Sequence, residues 1–232
     1  MRKPRAINPW FVFRQANMNR QRVVAFIDGL NLHHAIASLR RQELEWVDLK
    51  ALSKVFLNSK VEQLTEVFYF STFAKHVAES TQKRQIAYIK ALELTGIRPI
   101  LGHFKEKNRG CPACKHTWIG HEEKESDVNI ALYLIDSAYQ GLFDRALVIT
   151  NDSDLAPAIQ MTRERFPEKR ITTVAPPNYY HSNELIKVSS DKARIRPKHL
   201  EHCLLPAVVT DASRLISISR PLEYAPKTAL KA

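Results

Sequence analysis

Four aspartates carry the chemistry that this sequence suggests. Asp28 closes the apolar run "VVAFID", and Asp152 and Asp154 stand one residue apart just after "RALVIT". Asp127 opens the stretch "SDVNIALYLIDSAYQG", in the first turn of a predicted helix, where the dipole favours an anion. Each of these acids alone could be a helix cap. Gathered in one partly buried crevice, however, they would raise one another's pKa unless a cation neutralised them. The cation suited to an all-carboxylate set is hard and divalent, Mg²⁺ or Mn²⁺, which takes oxygen ligands and keeps several waters. Such an ion can activate one water and offset charge developing on a phosphate, so the chemistry within reach is phosphodiester hydrolysis.

Acids so far apart in sequence need a scaffold that returns them to one edge. Strand-length apolar runs at 22–28, 65–73, 97–105, 145–150 and 170–176 alternate with helical patterns at 29–41, 47–56, 78–96, 126–141 and 153–166. That alternation predicts an α/β domain of three layers, a mainly parallel central sheet flanked by helices and joined by right-handed crossovers. In such a sheet the side chains at the carboxyl ends of strands meet in one crevice, usually where the strand order reverses. Gly96 suits a helix C-cap, and Pro99 marks an edge or an irregular strand start. The segment 106–123 breaks the pattern and reads as a polar loop insert. One domain is expected over 21–204, with a basic N-terminal extension over 1–20 and a loosely attached tail over 205–232, where Pro206, Pro221 and Pro226 fall.

The insert holds Cys111, Cys114, His116 and His121. A C-x-x-C turn aims two thiolates at one point, and the two histidines could complete a structural zinc site, with His103 as a competing ligand. The other reading is a solvent-facing loop that binds nothing. Cys203 stands alone and suits a small buried hydrophobe. Three cysteines do not make a disulfide scaffold.

With 44% hydrophobic and 25% charged residues over 232 positions, the chain has the composition of a globular domain. Its formal charge of +11 favours a polyanionic partner such as RNA, or else describes a basic surface with no partner. No apolar run is long enough to cross a bilayer and no secretory signal opens the chain, so a cytoplasmic protein without a membrane partner is expected. Residues 1–27 carry basic charge only, a feature shared with mitochondrial transit peptides.

The stretches "VVAFIDGLNLHHAI", "EKESDVNIALYLIDSAY" and "RALVITNDSDLAPAI" resemble, in order, the three motifs of the NYN family, a branch of the PIN-like nuclease fold. The likeness runs from residue 22 to 190. It implies a metal-dependent ribonuclease in which Asp28, Asp127, Asp152 and Asp154 hold Mg²⁺ or Mn²⁺ and Asn31 orients Asp28 or a bound water. Asn31 could equally serve as a hydrogen bonder at a helix start. Asn151 and Leu155 stand where the third motif usually has a glycine and a phenylalanine. Some chains that look like this family are NADH-dependent hydroxylases of 6-hydroxy-3-succinoylpyridine, and this monooxygenase activity is the alternative that the resemblance carries. The six glycines form no G-x-G-x-x-G loop for a nicotinamide cofactor. A third reading is a non-catalytic RNA-binding module whose acids are caps. His33, His34, Tyr179 and Tyr180 are further candidates for touching a substrate, and Glu125 is expected to face solvent.

Overall fold

A computed structural model describes residues 20–74 and 76–226. Most of the expected N-terminal extension, and the end of the chain from 227, lie outside the described residues. Seven strands form the central sheet: β1 (Gln21–Asp28), β2 (Glu62–Thr72), β3 (Arg98–Gly110), β4 (Thr117–Lys124), β5 (Arg145–Ile149), β6 (Arg170–Ala175) and β7 (Asp191–Arg194). Their spatial order is β4-β3-β2-β1-β5-β6-β7. All neighbours run parallel except β3 and β4, which form an antiparallel hairpin. The order reverses at β1: the chain first builds outward through β2 and β3, then returns to place β5 on the other side.

β1 and β5 are buried on both faces, as a parallel sheet covered by helices requires. On β1, Val23, Ala25 and Ile27 enter one core, and Val24 and Phe26 the other. The first core is roofed by α1 (Gly29–Ala37), α2 (Leu49–Lys54) and α3 (Glu79–Leu94), which supply Leu32 and Ile36, Leu49 and Leu52, and Ile89 and Leu92. The second is roofed by α4 (Ser126–Tyr139), α5 (Ala156–Arg165) and α6 (Asn183–Val188). Ile130, Leu134 and Ala138 recur every four residues along α4, so one stripe of that helix faces the sheet. α7 (Pro197–His202) adds Leu200 to the first core.

Two expectations are corrected. Residues 106–123 are not a loop insert: β3 runs on to Gly110, turns through the cysteines and returns as β4. This hairpin is held by backbone pairing along two largely polar strands, which leaves little hydrophobic pattern to read. Residues 205–226, expected as a loose tail, form the hairpin β8 (Val208–Thr210) and β9 (Ser217–Ser219) and pack Leu205, Val209 and Tyr224 into the first core. Pro99 lies on the stretch of β3 that pairs with β2 alone, so the other side of the strand is an open edge there, the setting in which a sheet tolerates proline. Gly96 ends α3 at φ +83°, the left-handed C-cap position. Among the described residues no helix is long and apolar enough to cross a membrane.

Candidate metal centre at the carboxyl ends of β1 and β5

The reversal of strand order at β1 opens a crevice beyond the carboxyl ends of β1 and β5. Asp28 is the last residue of β1 and is only 5% exposed. Its Oδ1 accepts the backbone N–H of Asn31 at 3.0 Å, which makes it the cap of α1. Its Oδ2 accepts the hydroxyl of buried Thr150 at 2.9 Å. The same Thr150 oxygen accepts the backbone N–H of Asp152 at 3.0 Å, so one hydroxyl joins the ends of both strands. Asp152 in turn accepts the Asp154 N–H at 3.0 Å and caps a 3₁₀ turn over Ser153–Leu155. Asp127 lies half-buried in the first turn of α4.

Asn31 links the ends of β1 and β5. Its side-chain carbonyl accepts the backbone N–H of Asn151 at 3.0 Å, and only its backbone touches Asp28. It therefore positions the turn that carries Asp152. Asn151 does not sit at positive φ, so a glycine's freedom is not needed there, and its own side chain accepts the Ser182 N–H at 2.9 Å. Leu155, in the other departing position, is buried in the second core.

The electrostatics follow from the crowding of like charges. Burial pushes the Asp28 carboxyl up to about 6, with Asp127 and Asp152 adding to the rise against the two hydrogen bonds that oppose it. Asp127 is raised by burial, then by Asp152, Glu123 and Asp154. Every neighbouring charge that moves these two groups is a carboxylate. Glu123 was missed in the sequence. It stands one residue before the end of β4, where its carboxylate accepts the Thr72 hydroxyl and the Ser126 N–H, both at 3.0 Å. Thr150 was missed as well, because a threonine at a strand end gives no sign of the partner it will meet. An all-oxygen, all-anionic donor set fits Mg²⁺ or Mn²⁺. The acids surround the crevice without converging on a point, and among the described residues no three Asp, Glu, His or Cys side chains form a ready-made ligand set.

The zinc site expected from Cys111, Cys114, His116 and His121 is not assembled. The two cysteines sit together at the hairpin tip, and backbone N–H groups of Cys114 and Ala113 lower the Cys111 thiol. His121, however, pairs opposite Glu106, four residues or ~13 Å along β4 from Thr117. Its ring stacks on His76 at 3.9 Å, and the His116 ring lies parallel to Trp118. Strand pairing separates the ligands that sequence spacing brought close. His103 pairs instead with exposed Glu125 at 3.2 Å. Cys203 is buried, as expected of a small hydrophobe.

The NYN domain model matches residues 22–192. This chain belongs to the NYN domain family. That membership points to a nuclease-like activity. One curated protein and one solved structure are similar to this NYN chain. It is 40% identical over 92 residues to "6-hydroxy-3-succinoylpyridine 3-monooxygenase HspA" of Pseudomonas putida, a stretch covering 38% of the chain and 29% of that protein. The chain thus matches under a third of the length of that relative. A crystal structure of a protein of unknown function from Vibrio parahaemolyticus superposes with a TM-score of 0.52 at 17% identity, covering 81% of this chain and 98% of that one, and shares the fold.

Proposed function

We propose that this NYN protein is a metal-dependent ribonuclease that hydrolyses phosphodiester bonds in RNA at the carboxyl ends of β1 and β5. The observation that carries the reading is the grouping of Asp28, Asp127, Asp152 and Asp154, on three separate elements, at the crevice where strand order reverses, with Asp28 and Asp127 raised by burial and then by neighbouring carboxylates. These four residues would hold Mg²⁺ or Mn²⁺. Such an ion, when bound, supplies an activated water and offsets negative charge on the phosphate. The chain's own contribution is to anchor the two strand ends that carry Asp28 and Asp152. Thr150 fixes Asp28 against the Asp152 backbone, and Asn31 fixes the turn from Asn151. A formal charge of +11 on a chain with an acidic crevice supports attraction of a polyanion by the remaining surface.

The test is cleavage of labelled single-stranded RNA. The wild type should cut with Mn²⁺ or Mg²⁺ and stop with chelator, and Asp152→Asn should lower the rate about a hundredfold or more while leaving the circular dichroism unchanged. An Asp152→Asn protein that cuts as fast as wild type would overturn this assignment of the site.

A second reading, NADH-dependent hydroxylation of a pyridine compound, is favoured by the 40% identical stretch shared with the monooxygenase. It predicts oxygen-dependent NADH oxidation when 6-hydroxy-3-succinoylpyridine is added. No change in NADH absorbance would remove it.

A further inference from the structure

A cavity of about 440 Å³ lies on the face of the sheet covered by α1 and α3. Its volume is that of a site for a small organic molecule or one nucleotide. The walls are aromatic: Tyr69 from β2, Tyr88 from α3, Phe104 from β3 and Tyr224 near the end of the described chain. Tyr69 and Tyr88 meet edge to face with centroids 6.2 Å apart. Most polar groups of the wall are already engaged. The Tyr88 hydroxyl donates to the Val47 carbonyl at 2.9 Å, and Gln85 donates to the Thr72 carbonyl at 2.6 Å and accepts the Ala74 N–H at 3.1 Å. Arg84 is held by Glu223 and Thr81. His33, His34, His76 and Glu45 complete the wall, so a ligand meets aromatic faces together with imidazole edges and one carboxylate.

None of the four aspartates lines the cavity, but two residues of its wall neighbour acids. Gly29, which follows Asp28 directly, forms part of the wall, and so does Thr72, whose hydroxyl donates to Glu123. A ring in the cavity would therefore lie beside a group held over the acids.

We propose that this cavity receives one flat nitrogen-heteroaromatic ring, the base of a nucleotide in single-stranded RNA, with the adjoining phosphate over the acids. The source of the ring rests on the ribonuclease reading; the ring-shaped site does not. Bases of single strands are free to stack on aromatic side chains, whereas bases of a duplex are not.

Saturation-transfer NMR on the full chain tests this with three probes: uridine monophosphate, ribose 5-phosphate, which lacks the ring, and 6-hydroxy-3-succinoylpyridine, a free heteroaromatic acid. The base protons of the nucleotide should receive transfer and ribose 5-phosphate should bind at least about fivefold more weakly. Ala74→Trp, which fills the cavity, should weaken the nucleotide to the same degree and raise KM for single-stranded RNA; Thr81→Trp serves if that variant does not fold. Equal binding of ribose 5-phosphate, or nucleotide binding unchanged in both filled variants, overturns the proposal. Transfer to the pyridine alone, lost in the filled variants, overturns the nucleobase as occupant. Ring binding without any RNA cleavage leaves the cavity as proposed and removes the ribonuclease reading, whereas cleavage without ring binding does the reverse.

Discussion

Asp28 shows how a single residue couples folding to the proposed chemistry. Burial lifts its carboxyl to about 6 from an ordinary value of 3.8, and the Thr150 and Asn31 hydrogen bonds recover only part of that rise. The folded chain therefore keeps a proton between about pH 4 and pH 6 that the unfolded chain releases, so stability contributed at this position is full below that window and declines as pH rises through it. The decline is on the order of 3 kcal/mol for a shift of this size. Urea denaturation of metal-free protein across pH 4 to 7 should show this slope in wild type and lose most of it in Asp28→Asn, with Mn²⁺ restoring wild-type stability near neutral pH. The same slope in both proteins would mean that Asp28 titrates normally.

Among the elements, the junction of β1 and α1 is the most constrained. A Cβ on Gly29 would lie 2.5 Å from the Phe70 carbonyl oxygen and 2.5 Å from the Tyr69 ring, contacts that real side chains do not make. Gly29→Ala should destabilise the fold by about 1 to 3 kcal/mol and displace Asp28 with it. A melting temperature and RNA cleavage rate both unchanged in Gly29→Ala would show that β2 yields at this point. This junction was legible in the sequence, as were the parallel core strands, because a buried strand reads as an apolar run and a charge at its end stands out. Asp28, Asp152 and Asp154 were singled out in that way, and Asp127 from its place in the first turn of a helix. Thr150 and Glu123 were not, since the bond from Thr150 to Asp28 spans 122 residues of chain and only the sheet order brings them together. The β3–β4 hairpin was hidden for a related reason: backbone pairing can hold a largely polar strand with no apolar pattern to mark it. The same register moves His121 away from the cysteines, so ligand spacing in sequence misjudged the zinc site. Asn31 was identified as important, while its actual partner, the N–H of Asn151, depended on how two distant turns dock.

Across the whole molecule, a formal charge of +11 coexists with an acidic crevice. This division makes physical sense for a protein that draws a polyanion by its general surface and reserves its carboxylates for one place. Binding of single-stranded RNA to Asp152→Asn, measured by fluorescence anisotropy, should weaken about tenfold or more between 50 and 200 mM salt. An affinity indifferent to salt would mean that the positive charge is not what holds RNA. A metal-dependent ribonuclease at this site requires the four aspartates to bind a cation together. Electron paramagnetic resonance of a Mn²⁺ titration reads this without any substrate: wild type and Cys111→Ser should quench the free-ion signal alike, while Asp28→Asn and Asp152→Asn should bind at least about tenfold more weakly. Equal Mn²⁺ affinity in wild type and both aspartate variants would contradict it.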